Sequence, residues 1–257
     1  MNLKKKLEYH YKYFDRNKIT PDPVEFLHHY NNYFDIEISG LISSVFAYGN
    51  VKQINKTLTH LHSIMNHKPY EFVMNFNYRT DKIFFDKIVH RFYKPDDIAK
   101  LFFALNKIYL SYNSLKYFFL LYYFDEDKNL KNAISFFSRN ILAIIESAGI
   151  KNTSIKFMFP DPQKGSACKR MNLFLRWMVR KDEIDFGLWY EIPASKLVIP
   201  VDTHVAKICK NLGLTKRKNI SWNMAEEITE NLKKYDSSDP VKYDFAICHI
   251  GMRKMSF

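Results

Sequence analysis

Apolar side chains recur at three- and four-residue steps through most of this chain, and that period restricts it to helices. Val51, Ile54, Leu58, Leu61 and Met65 form one such stripe, and Ile98, Leu101, Leu105, Ile108 and Tyr112 form a second. Leu130, Ile134, Phe137, Ile141 and Ile145 repeat the pattern, as do Trp222, Ala225, Ile228, Leu232 and Tyr235. A helical turn brings each set to one face, whereas a half-buried strand needs strict alternation, which is scarce here. With only seven glycines and no hairpin signal, an all-α fold is expected. Asp22-Pro23 and Asp239-Pro240 each place an N-cap carboxylate before a proline at the first helical position, and Pro95 with Asp96 and Asp97 marks another start. Most of the Phe and Tyr fall at helical spacing and read as core.

The longest apolar run, LKYFFLLYYF from Leu115 to Phe124, is about half a membrane span and reads as a buried helix. The N-terminal MNLKKKLEYHYKYF is basic but has no apolar stretch of the signal-peptide kind, so a cytoplasmic, nucleoid-associated protein is expected. No linker separates independent domains. The chain reads as one domain, 1–257, with residues 1–20 as a leading helix or arm, 21–150 as a helical body and 151–257 as a more basic helical part.

The glycines fit neither G-x-G-x-x-G nor G-x-x-x-x-G-K, which excludes Rossmann and P-loop nucleotide sites. Cys168, Cys209 and Cys248 lie far apart, which argues against a disulfide framework, a zinc cluster or a four-cysteine iron–sulfur site. His28, His29, His60, His62 and His90 make no recognised ligand set, so no metal is expected. The net charge of +12 points to a polyanionic partner, nucleic acid or an acidic membrane surface. Residues 151–220 hold fourteen lysines and arginines against six acids, +8 of the total, and this concentration favours a binding face.

Within that stretch, Gln163 to Ala167 reads as a polar turn around Gly165, followed by an amphipathic helix carrying Met171, Phe174, Leu175, Trp177 and Met178. Small residues at a turn before a helix let a phosphate approach free backbone N–H groups. Lys169 falls in the first turn of that helix, where the dipole, Arg170 and Arg176 all favour a neutral amine. On spacing alone it reads more readily as a solvated or phosphate-contacting lysine. Asp202 reads as the N-cap of a helix carrying Val205, Ile208, Cys209 and Leu212. Its second reading is a carboxylate at the mouth of a cleft, facing developing positive charge.

Together these pieces resemble the helix-hairpin-helix DNA glycosylase superfamily that includes endonuclease III and the 8-oxoguanine glycosylases. The family's hairpin ending G-x-G-x-K is matched by Gly165-Ser166-Ala167-Cys168-Lys169, with Asn172 three residues on. Val201-Asp202-Thr203-His204-Val205-Ala206-Lys207 matches its V-D-T-H-apolar-x-Arg. The 33 positions from Lys169 to Asp202 are similar to the longer spacing of the archaeal 8-oxoguanine glycosylase. Over nearly its full length the chain also resembles a bacterial family with KGSA-x-KR-x-N-x-FLRWMVR, D-x-HV and DPVKYDFA motifs. Departures are Ala167 for the second hairpin glycine, Lys164 where a proline often stands, and Arg170 next to the lysine.

The resemblance implies two helical subdomains flanking a cleft, with a helix-hairpin-helix motif. It implies that the Lys169 amine attacks C1′ of a flipped nucleotide, with Asp202 activating it and stabilising oxocarbenium-like charge. Lys164, Gly165, Ser166, Ala167, Arg170, His204, Lys207, Lys216, Arg217 and Lys218 would contact DNA. Tyr48, Asn50 and Gln53 would form the base pocket with Tyr243, Asp244 and Phe245, although Tyr243 and Phe245 also read as core. No cofactor is expected, the four-cysteine cluster being missing. The expected partner of this monomer is double-stranded DNA with a damaged or abasic nucleotide, an oxidised purine among the candidates, and no membrane is expected. The alternative is a non-catalytic DNA- or RNA-binding module of the same fold.

Overall fold

The computed structural model describes residues 2–147, 149, 154–253 and 255. The helices run α1 Leu3–Tyr13, α2 Tyr33–Phe46, α3 Val51–Ile64, α4 Pro69–Asn75, α5 Tyr78–Asp81 and α6 Pro95–Tyr112. They continue with α7 Leu115–Leu120, α8 Lys131–Ser147, α9 Lys169–Val179, α10 Thr203–Asn211, α11 Trp222–Lys233 and α12 Asp244–Met252. The fold is all-α: among the described residues the only β-type pairings are isolated bridges, His90 with Tyr93 and Lys181 with Phe186. No described helix is long and apolar enough to cross a membrane.

The chain divides into two compact units. One comprises Pro21–Asp125 and Asn132–Asp161, and the other comprises Met1–Thr20, Glu126–Lys131 and Pro162–Phe257. Of the two readings of residues 1–20, a leading helix or an arm, the structure has the helix, α1, which belongs to this second unit. Tyr11 Oη donates to Asp182 at 3.2 Å, and Glu8 accepts from Tyr243 Oη at 2.5 Å, which fixes α1 in the unit formed by the C-terminal part.

In the unit of α2 to α8, α2 is buried from Ile36 to Phe46 and is apolar nearly all round, as a central helix must be. Its one acid in that span, Glu37, is fully buried and accepts from Tyr109 Oη (2.5 Å) and from the N–H groups of Leu115 (2.8 Å) and Lys116 (3.0 Å). A carboxylate at the start of α7 satisfies N–H groups that have no intrahelical partner. The expected stripes of α3, α6 and α8 face inward, with Tyr112 at the rim. The run from Leu115 to Phe124 is only partly buried: Leu115, Phe118 and Phe119 point in, whereas Tyr117, Leu121 and Phe124 are exposed.

Helix starts follow the sequence with two differences. Pro95 opens α6, where Asp97 Oδ2 accepts the Lys94 N–H at 2.9 Å. Pro23 opens a 3-10 helix, Pro23–His29, rather than an α-helix, with Asp22 accepting from Val24 N at 3.0 Å. Pro240 opens no helix. Asp239 is drawn to the Arg180 guanidinium (2.8 Å), and the helix begins only at Asp244.

In the other unit α10 and α12 pack closely because Gly251 has no side chain. A Cβ there would stand 3.0 Å from the Cβ of His204. α9 departs from expectation in its surroundings: its apolar stripe is present, but every residue from Arg170 to Val179 is buried, the polar side included.

Candidate functional site

The turn before α9 is built as follows. Pro162–Lys164 form one 3-10 turn, and the Gly165 N–H donates to the Pro162 carbonyl at 3.0 Å. Gly165 has φ +85, a conformation that suits a residue without Cβ, and nothing lies within 4 Å of where a Cβ would stand. Its carbonyl accepts from Trp222 N (3.0 Å), which ties the turn to the start of α11. The Cys168 N–H donates to Ser166 Oγ at 3.2 Å, and Asn172 Nδ2 closes the turn on the Ala167 carbonyl at 3.0 Å. Among the described residues the N–H groups of Ser166 and Ala167 make no hydrogen bond. The element ahead of the turn is this single 3-10 turn and not the α-helix that a helix-hairpin-helix motif calls for.

Lys169 is the first residue of α9, after a left-handed Cys168 (φ +46). Its Nζ lies 3.0 Å from Asp202 Oδ2, with the two side chains 30% and 22% exposed. Asp202 Oδ1 meanwhile accepts from the N–H groups of His204 (2.9 Å) and Val205 (3.0 Å) and so caps α10. Asp202 thus caps α10 with one oxygen and pairs with Lys169 through the other. Burial pushes its carboxyl up, but the Lys169 charge and the Val205 N–H outweigh that and hold it below the usual carboxylate range.

Arg170 does not contact a ligand from the surface. It is 7% exposed, turned into the unit, which leaves Lys169 as the residue that meets Asp202. Arg176, expected to add positive charge near Lys169, is matched by two acids, Asp185 at 3.2 Å and Asp244 at 2.5 Å. Arg180 pairs with Asp182 at 2.9 Å, Asp239 at 2.8 Å and Asp185. Part of the sequence's basic excess is thus buried and compensated. Lys164, Lys207, Lys210, Lys216 and Lys218 are exposed with no carboxylate at ion-pair distance among the described residues, and His204 is exposed beside them in sequence. Arg217 is partly exposed and pairs with Glu227 at 2.6 Å.

The C-terminal half of the expected base pocket is core. Tyr243 is fully buried with its hydroxyl on Glu8, and Phe245 is 5% exposed against His249 and Phe14. Rings enclosed in this way have no face free for a base. Asp244 is buried against Arg176, and its Oδ1 has no donor among the described residues. Burial pushes the Asp244 carboxyl up to about 6, against the pull of Arg176, with the charges of Asp202 and Asp185 adding to the rise.

Tyr48, Asn50 and Gln53 belong to the other unit. Asn50 caps α3 by accepting from Lys52 N at 2.9 Å, Gln53 is exposed, and Tyr48 is half-buried. Tyr48 belongs to a cluster that periodicity did not find. The Arg91 guanidinium lies 4.6 Å from the Tyr48 ring centroid and 5.7 Å from that of Phe92, and Phe157 meets Tyr48 edge-on at 5.2 Å. Phe92 is 60% exposed. Arg91 crosses Gly49 so closely that a Cβ there would come within 2.7 Å of it. The signal available in the sequence was an arginine beside an aromatic outside any helical stripe. No group of described histidine, cysteine and acidic side chains could hold a metal ion.

A family model described as Protein of unknown function (DUF2400) matches residues 22–253. No curated protein and no solved structure matches the chain.

Proposed function

The chain belongs to this DUF2400 family, and from that premise we propose that it is a DNA base-excision glycosylase with AP-lyase activity, acting through Lys169 and Asp202. The observation that carries the reading is the 3.0 Å approach of Lys169 Nζ to Asp202 Oδ2 next to a turn with free N–H groups. Lys169 loses a proton toward the Asp202 carboxylate, and the free amine attacks C1′ of an extruded nucleotide. The N–C1′ bond forms as the glycosidic C–N bond breaks, and the base leaves with its electron pair. The sugar ring opens to a protonated Schiff base as O4′ takes a proton from the amine nitrogen, a C2′ proton passes to water, and the 3′ C–O bond breaks with its electron pair on the departing phosphate, which nicks the strand. Asp202, ionised at the outset, passes the proton taken from Lys169 to the departing base and so faces the positive charge at C1′ as a carboxylate again.

The backbone N–H groups of Ser166 and Ala167 suit one phosphate, and the exposed Lys164, Lys207, Lys216 and Lys218 suit others. In the other unit, taken by itself, Tyr48, Arg91 and Phe92 offer planar groups on which an unpaired base can stack. The test is covalent trapping: protein incubated with abasic or 8-oxoguanine duplex and borohydride is expected to form an adduct that Lys169→Gln abolishes. Absence of any adduct across a panel of lesions overturns the lyase assignment.

A further inference from the structure

The first residue of α10, Thr203, opens a second feature that the catalytic pair does not use. An open depression of about 270 Å³ runs from it along α10 past Lys207, Lys210 and Asn211 to Lys218 and Ile220 on the following loop. Three lysines and no acid line it. Lys210 Nζ donates to the Lys218 carbonyl at 2.8 Å, which fastens the loop to the helix, and Lys207 and Lys218 both line the depression. Elsewhere in this unit lysines such as Lys128, Lys233 and Lys242 face carboxylates, so uncompensated cations gathered in one hollow are a local feature. The chemistry that fills such a hollow is a phosphate group.

Resting on the glycosylase reading, we propose that this depression holds a backbone phosphate of the strand whose nucleotide meets Lys169. Lys207 to Lys210 lie roughly 7–12 Å along α10 from Asp202, at about 1.5 Å per residue. A strand advances about 3.4 Å per nucleotide, so the phosphate held here lies about two to four nucleotides from the reacting one. The depression thereby sets a minimum length of DNA on one side of the lesion.

The experiment measures binding of the full chain to a 20-base-pair duplex with a central tetrahydrofuran abasic analogue over a range of salt. A second duplex has its lesion strand cut back to one nucleotide beyond the analogue, on each side in turn. Lys207→Gln/Lys218→Gln, which leaves the Lys218 carbonyl in place for Lys210, is expected to bind the long duplex at least about fivefold more weakly. Its salt slope should fall by roughly 0.9 for each phosphate that the variant no longer neutralises. On the duplex shortened on the correct side, variant and wild type should bind alike. If wild type binds the long duplex and the variant matches it in affinity and slope, the depression does not hold the strand and the inference falls alone. Wild type that binds no duplex removes the glycosylase reading and this inference with it. Inorganic phosphate supplies the last arm: if it binds wild type and not the variant while duplex binding is unchanged, the hollow serves free phosphate and the strand assignment is overturned.

Discussion

Asp202 divides its two carboxylate oxygens between a helix cap and an ion pair: Oδ1 caps α10 through the His204 and Val205 N–H groups, and Oδ2 lies 3.0 Å from Lys169 Nζ. Asparagine retains an acceptor for the cap and removes the charge. Asp202→Asn is therefore expected to slow adduct formation by about 10²–10⁴-fold while costing less than about 1 kcal/mol of stability, since the ion pair is partly exposed. Asp202→Ala also loses the cap, at about 1 kcal/mol more. Single-turnover trapping and thermal denaturation of both variants separate the two roles.

The same carboxyl, held low in the folded chain, stabilises it above the usual carboxylate range and ceases to do so as pH falls through its lowered value. Acid titration of stability should show a shallower acid limb for Asp202→Asn than for wild type. Equal limbs would contradict the pairing with Lys169.

The buried network of α9 predicts the opposite sign. Two guanidinium groups, Arg176 and Arg180, face four acids, Asp182, Asp185, Asp239 and Asp244. Asp244, pushed up to about 6, binds a proton in the folded chain over a range where the unfolded chain has lost it, so its contribution falls as pH rises from about 4 to about 6. The stability of Asp244→Asn relative to wild type should therefore increase across that window. Arg176→Met leaves Asp185 and Asp244 without that partner and is expected to cost about 3–5 kcal/mol, read by urea denaturation.

Gly165→Ala places a Cβ on a residue at φ +85, where an L side chain is strained by about 1–2 kcal/mol although the surrounding space is open. Stability should fall by that order. Duplex binding should weaken as well, because relief of the strained φ re-aims the Ser166 and Ala167 N–H groups offered to a phosphate. Unchanged affinity in a fluorescence anisotropy titration would remove the turn from the interface.

Phe92 is well exposed beside Arg91, so Phe92→Ala should leave the thermal midpoint nearly unchanged. If bases stack there, affinity for a duplex with an abasic analogue should drop by about 1–3 kcal/mol, with a smaller loss on an intact duplex. Equal losses on both would point to backbone contacts alone.

Helicity, most caps and the inward stripes were legible because they are local: a residue's neighbours three and four positions away decide which face it shares. The Lys169 and Asp202 positions were legible as motif matches, each with a structural alternative beside it. The base pocket was misread at Tyr243, Asp244 and Phe245, because an aromatic followed by an acid looks the same in sequence whether it lines a cleft or seals a core.

By itself the sequence determined an all-α chain with an uneven positive charge, a glycine turn before α9 and a capping aspartate at the start of α10. Only the tertiary structure decided that the lysine and the aspartate, 33 positions apart, meet at 3.0 Å. It also decided that Arg176 and Arg180 point inward, compensated by acids as far as 68 positions away. Charge compensation and burial depend on what the folded chain brings near. Periodicity records only which residues share a helix face, so it could not tell a cation offered to a partner from one already satisfied within the core.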